Sequence, residues 1–279
     1  MQFVTAGGAS LPALGFGTYG MARPDMLRMI PAALKAGFRH IDTAQIYRNE
    51  TEVGECVAAS GLPRQDVFLT TKVWVANYPK RTFALSVDES LRKLSTDYID
   101  LLLLHWPSAT VPLEEQIAGL NAAVQQGKVR HIGVSNFNRA LMAEAVRLSS
   151  APIVTNQFEY HPYLNQAVLI EACQRLGVAM TAYCGMAVGR VFDEPLLKEI
   201  AAAKRKTVAQ VVLRWLLQQD GMVALSRSTR PDRIAGNMQV FDFALTPEEM
   251  TAIAELARER SRIVDPPGLA PEWDPTPAS

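Results

Sequence analysis

Four residues able to hold or move a proton stand at the ends of three successive apolar runs. Arg39-His40-Ile41-Asp42-Thr43-Ala44-Gln45-Ile46-Tyr47 reads as a short strand that runs into a polar loop. Lys72 ends the next strand-like run, Val67-Phe68-Leu69-Thr70-Thr71-Lys72. His105 closes the most apolar stretch of the chain, Ile99-Asp100-Leu101-Leu102-Leu103-Leu104-His105. In a parallel barrel the strand C-termini converge on one face, where the chemistry is done. Asp42, Tyr47, Lys72 and His105 gathered there would make a proton-donor site centred on a phenol. Each alone has a plainer reading. A loop tyrosine packs with its hydroxyl wet, an aspartate caps a turn, a lysine ends a strand at the surface, and a lone histidine sits hydrogen-bonded in a core. Their placement at three consecutive strand ends favours the site. Metal binding through Asp42 and His105 lacks a third spaced ligand, so no metal is expected.

The elements that would position these residues alternate along the chain. Strand-like runs fall at 14–18, 39–43, 67–73, 99–105, 129–135, 154–158, 178–183 and 222–226. Helical patterns lie between them at 24–36, 51–59, 81–94, 113–126, 140–148, 167–176 and 207–219. Gly37, Gly61, Gly127 and Gly177 follow four of these patterns, where a residue free to take positive φ ends a helix. Eight strand-then-helix units predict an α/β protein, a single-domain (β/α)8 TIM barrel spanning 1–279. The proline-rich residues 265–279 are expected to form a C-terminal flap and tail.

Composition narrows the partners. The 279 residues carry 28 basic and 28 acidic side chains, a balance that suggests neither nucleic acid nor an anionic membrane as partner. No apolar run approaches the roughly 20 residues needed to span a bilayer, and Met1-Gln2-Phe3-Val4-Thr5-Ala6-Gly7-Gly8 lacks a signal-peptide pattern. Cys56, Cys173 and Cys184 are odd in number and not spaced as metal ligands. A cytoplasmic protein is expected.

Gly15-Phe16-Gly17-Thr18-Tyr19-Gly20, with Asp42 downstream, matches the G-x-G-x-x-G dinucleotide fingerprint. Its context argues against that reading. The preceding Leu11-Pro12-Ala13-Leu14 is short and broken by proline, and Pro24 delays the helix that should begin at the third glycine. These glycines are expected instead to let the first barrel strand turn tightly beside a ligand.

Asp42-Thr43-Ala44-Gln45-Ile46-Tyr47-Arg48-Asn49-Glu50, with Val53-Gly54 beyond it, resembles the signature segment of the aldo-keto reductases. Five further segments follow in that family's order: Thr71-Lys72-Val73-Trp74, Leu104-His105-Trp106-Pro107, Gly133-Val134-Ser135-Asn136-Phe137, 156–163 and 227–233. The resemblance covers the chain from about Gly15 to Trp273. The ending Pro267-Gly268-Leu269-Ala270-Pro271-Glu272-Trp273-Asp274 is similar to the bacterial 2,5-diketo-D-gluconate reductase B type, itself similar to methylglyoxal reductases.

The resemblance implies NADPH-dependent reduction of small aldehydes or ketones by a monomer. Tyr47 would be the acid, and Lys72, held by Asp42, would lower its pKa from a free value near about 10. His105 would orient and polarise the carbonyl. It further implies that Ser135, Asn136 and Gln157 hydrogen-bond the nicotinamide carboxamide and that Tyr183 stacks on its ring. Gly17, Thr18 and Tyr19 would lie beside the cofactor, as would Cys184 and Met186. Arg227, Ser228, Thr229 and Arg233 would surround a 2′-phosphate, with Asn237 at the adenine. The sequence departs from many relatives at Arg227, where lysine is common, and at Cys184-Gly185, where Ser-Pro is common. Tyr19, Tyr47, Trp74, His105, Trp106 and Trp273 would line the substrate pocket. An alternative is a nicotinamide-binding, redox-sensing regulatory subunit with little turnover.

Overall fold

Ile99–Leu104 shows why the barrel strands read as unbroken apolar runs: all six of its residues are buried. A parallel strand is covered on both faces, by the barrel interior and by the helices outside. The computed structural model describes residues 2–275; Met1 and the last four residues of the expected tail, 276–279, lie outside the described residues. A hairpin comes first, β1 (Phe3–Ala6) and β2 (Ala9–Pro12). Eight parallel strands then close into a barrel. They are β3 (Leu14–Gly17), β4 (His40–Asp42), β5 (Phe68–Val73), β6 (Ile99–Leu104), β7 (Val129–Ser135), β8 (Ile153–Glu159), β9 (Ala179–Tyr183) and β10 (Met222–Ser226). β10 pairs with β3 to complete the ring. The TIM-barrel expectation holds, with each strand inside or within a residue of its expected run.

The helices lie outside the ring: α1 (Arg23–Ala36), α2 (Glu50–Ala58), α3 (Lys80–Leu94), α4 (Leu113–Gln125), α5 (Arg139–Leu148), α6 (Ala167–Arg175), α7 (Pro195–Lys204), α8 (Val208–Leu217), α9 (Pro231–Met238) and α10 (Pro247–Ala254). Their ends follow from local chemistry. Thr207 and Thr246 form capping boxes with Gln210 and Glu249, each satisfying two otherwise free N–H groups. Gly37 closes α1 at φ 106°, its N–H reaching Ala33 and Leu34 carbonyls.

A turn at Tyr19-Gly20 follows β3 directly, as expected from the sequence, but the glycines of this segment have different roles. A Cβ on Gly15 would lie 2.8 Å from His40 Nδ1 and 2.7 Å from Leu225, so this glycine lets neighbouring strands approach. Within the segment only Gly20 has positive φ, 66°. α1 begins at Arg23 rather than at Gly20, which removes the dinucleotide fingerprint.

β1 and β2 cover the barrel end from which its strands start. Ala6, Ala9 and Leu11 pack there with Leu101, Leu103, Val154, Ala179 and Val223 from inside the barrel. The opposite end, where the strands finish, stays open to the loops. Among the described residues no helix is long and apolar enough to cross a membrane.

Candidate active site

Lys72 is completely buried, and a buried ammonium must be paired. Its Nζ donates to Asp42 Oδ1 at 2.6 Å and to the Thr43 carbonyl at 2.8 Å. Gln157 Nε2 donates to the second Asp42 oxygen at 2.8 Å. Strands β4, β5 and β8 thus meet at one carboxylate. Burial pulls the Lys72 pKa below its ordinary value, and the Asp42 charge and hydrogen bond oppose that pull.

Tyr47 ends the 3-10 turn Gln45–Tyr47 that follows β4, and Lys72 Nζ lies 5.2 Å from its ring centroid. The turn is pinned by Gln45, a residue that sequence reasoning passed over. Gln45 Nε2 donates to the Ser86 carbonyl and Ser90 Oγ, while its Oε1 accepts from Trp74 N and Asn77 Nδ2. All four amide valences are used, so the loop carrying Tyr47 is tied to the loop carrying Trp74.

The expected lowering of the Tyr47 pKa is not what this structure shows. Burial pushes it well above its ordinary value, and the charges of Asp42, Tyr183 and Tyr19 add to that. The Lys72 ammonium that was to lower it lies 5.2 Å from the ring centroid and is paired with Asp42, whose charge acts in the opposite direction. Tyr47 therefore holds its proton securely at neutral pH, which is the protonation state a donor needs.

His105 follows β6, is 7% exposed, and faces Tyr47 edge-on with ring centroids 5.6 Å apart. Burial, with Lys72 second, holds its pKa well below the ordinary value, so the ring is neutral. A neutral imidazole can donate one hydrogen bond without bringing a charge. The site as built joins a protonated phenol, a neutral imidazole and a paired ammonium.

A second polar arc adjoins the first. Ser135 Oγ donates to the Gln157 carbonyl at 2.8 Å, and Asn136 Nδ2 donates to the His105 carbonyl at 3.0 Å. Tyr183, which ends β9, donates its hydroxyl to Asn136 Oδ1 at 2.7 Å. Asn136 sits at φ 63°, a left-handed conformation that asparagine tolerates.

Aromatic rings wall the opening. Tyr19, 70% exposed, lies 5.0 Å from the Tyr47 ring, and Trp74 lies 5.4 Å from His105. Trp106 is nearly buried and meets Trp273, brought from the C-terminal segment, at 6.3 Å. The six expected pocket residues are therefore brought together.

Farther along the same face, Arg227 Nη2 donates to the Gly20 carbonyl at 3.2 Å. Ser228 Oγ accepts from Arg230 N, and Thr229 offers its carbonyl to Arg28 of α1, a cation that sequence reasoning did not place here. Arg230 is neutralised by Asp232 at 2.7 Å, whereas Arg227 and Arg233 have no acidic partner within 4.0 Å among the described residues. Asn237, expected at the adenine, is 8% exposed and spends its amide nitrogen on Ser226 Oγ at 2.8 Å. Gly17 ends β3; Thr18 is fully buried and donates to the Asp42 carbonyl, so its side chain serves the loop. Cys184 takes φ 58° and Met186 precedes a turn containing Val188 and Gly189, both at positive φ. Burial raises the Cys184 thiol pKa above its ordinary value, which disfavours the thiolate. No group of three or more His, Cys, Asp or Glu able to hold a metal occurs among the described residues.

Comparison with known proteins bears on this arrangement. Residues 13–258 match the model of the family described as the aldo/keto reductase family. Methylglyoxal reductase DkgB of Salmonella typhimurium is 40% identical over 268 residues, 95% of this chain and 100% of that protein. An aldo-keto reductase of Mycolicibacterium paratuberculosis is 42% identical over 260 residues, 93% of this chain and 90% of that one. A crystal structure provisionally assigned as a 2,5-diketo-D-gluconic acid reductase B superposes with TM-score 0.98 at 58% identity, covering 99% of this chain and 98% of its own. The Bombyx mori aldo-keto reductase in complex with NADP superposes with TM-score 0.86 at 36% identity, covering 92% of each chain.

Proposed function

This chain belongs to the aldo/keto reductase family, and from that premise we propose that it reduces aldehyde or ketone groups of small compounds with NADPH, Tyr47 donating the proton. The observation that carries the reading is the Tyr47 phenol, protonated and flanked by the Lys72–Asp42 pair on one side and His105 on the other.

The residues present fit the cofactor. Gln157 Oε1 accepts no hydrogen bond from the described residues, while its amide nitrogen is fixed on Asp42; an acceptor held rigidly in place suits a carboxamide N–H. Ser135 and Asn136 supply the facing polar groups, and Tyr183 a ring at the strand end. Arg227 and Arg233, lacking acidic partners, suit the 2′-phosphate. Bound NADPH supplies the hydride. The chain's own part is the proton and the geometry. His105 donates a hydrogen bond to the carbonyl oxygen, directing it at Tyr47 and steadying the charge that gathers there. As that oxygen becomes an alkoxide it is far more basic than a phenolate, so Tyr47 gives up its proton despite the raised pKa. Lys72 then steadies the phenolate it leaves.

Methylglyoxal and diketogluconate, the compounds in the relatives' names, are the first substrates to test. Loss of nicotinamide absorbance with a panel of these and aromatic aldehydes measures turnover directly; no oxidation with any carbonyl compound would end this reading. With His105 neutral and Tyr47 protonated, the rate at saturating substrate should vary by less than about twofold between about pH 6 and about pH 9. An inflection near the ordinary histidine value would show that His105 titrates. Arg227→Ala should weaken NADPH binding about tenfold or more and leave NADH binding little changed, since a charge-assisted contact contributes roughly 1.5–3 kcal/mol. Tryptophan-fluorescence titration with both nucleotides checks this. Equal losses for both would remove Arg227 from the 2′-phosphate.

A further inference from the structure

Glu159 is a fully buried carboxylate that proton transfer does not use. It ends β8, two residues after Gln157 and so on the same side of the strand, in register with Tyr183. A carboxylate removed from water is costly unless its lone pairs are filled. Here they are filled largely by main chain from the far end of the sequence. Ile263 N donates to Oε1 and Val264 N to Oε2, each at 2.7 Å. His161 Nε2, also fully buried, lies 2.9 Å from Oε1.

The segment that Glu159 holds leads directly to Trp273. Residues 262–273 form a loop closed at its neck. The Arg262 guanidinium stacks on the Trp273 ring at 3.7 Å, and Trp273 Nε1 donates to Asp265 Oδ1 at 2.8 Å. A loop whose ends meet and whose side chains pack on one another is a compact unit. Its C-terminal end is tied down on either side of Trp273, by Asn138 Nδ2 to the Glu272 carbonyl and by Arg139 N to Asp274 Oδ2, both at 2.8 Å. Trp273 is thereby placed against Trp106, next to His105.

We propose that Glu159 is a positioning residue for substrate selection: by clasping the main chain at Ile263 and Val264 it fixes where Trp273 stands, and hence the outer wall of the pocket. This rests on the reading that the pocket admits carbonyl compounds. Backbone donors make the clasp independent of the side chains at 263 and 264. A substrate too small to reach Trp273 is indifferent to the clasp, and one with an aromatic ring feels it.

The test is Glu159→Gln in the full chain, assayed at saturating NADPH with methylglyoxal and with benzaldehyde. The glutamine keeps the shape but turns one acceptor into a donor that opposes a backbone N–H. The KM for benzaldehyde should rise about tenfold, the scale set by losing part of an apolar pocket, while kcat with methylglyoxal stays within about twofold of wild type. Trp273→Ala should raise the benzaldehyde KM similarly, and Glu159→Gln added to it should change nothing further. Equal KM changes for both substrates, or full additivity with Trp273→Ala, would overturn the proposal. Hydrogen exchange on wild type reads the clasp without any variant. The Ile263 and Val264 amides should be protected, and rapid exchange there overturns the proposal even if Glu159→Gln cannot be folded. Absence of turnover by wild type with either substrate would instead count against the reductase reading, leaving the exchange result to judge the clasp.

Discussion

Tyr47→Phe is expected to bind NADPH as wild type does and to lose about 10²–10⁴-fold in the rate of carbonyl reduction, the range a positioned acid contributes. The ring contacts with Tyr19 and His105 survive the change, so packing is kept and only the proton is removed. Because the Tyr47 ring is flanked by both Lys72 and His105, no neighbour is expected to substitute for its hydroxyl. Single-turnover reduction within a factor of about three of wild type would shift the donor role to His105 or to solvent.

Lys72→Met should damage both stability and rate. Breaking a buried ion pair by removing one member costs about 3–5 kcal/mol, because the other charge stays behind unpaired. The Asp42 carboxylate would keep the Gln157 amide but lose its ammonium. For a chain of this size that loss corresponds to a fall of roughly 10 °C in the unfolding midpoint. Adding Asp42→Asn removes the stranded charge, so the double variant should regain part of that stability and none of the rate. Thermal unfolding and turnover measured on the same samples separate the two effects. A single variant that melts with wild type would mean that water reaches the pair, contrary to the complete burial of Lys72.

The barrel was legible because its strands are enclosed on two sides, which writes each of them as a continuous apolar run. The site was legible for a related reason: Asp42 and His105 sit at or just beyond strand ends, and Lys72 and Gln157 within two residues of one, where those runs stop. The starting hairpin was overlooked although Gly7-Gly8, both at positive φ, is a tight-turn signal between two short strands. α7, α9 and α10 fell outside the expected helices because they stand outside the simple alternation: α7 is a second helix between β9 and β10, and α9 and α10 follow the last strand. The Tyr47 pKa could not be read from sequence, since it depends on how far Asp42 cancels Lys72. Nor could the Glu159 contacts, whose partners lie 104 and 105 residues away along the chain and are main-chain atoms that carry no side-chain signature.

The hairpin that covers the start of the barrel strands has a practical consequence for using this protein on a support. Its face is the barrel's full height from the aromatic opening, and Phe3, more than half exposed, marks it as reachable from outside. An immobilising linker or fusion partner joined on that side points every molecule's opening toward the bulk solution and leaves diffusion into it unhindered. The same attachment made at the other end of the described chain would pull on the segment that carries Trp273, and with it on the shape of the opening.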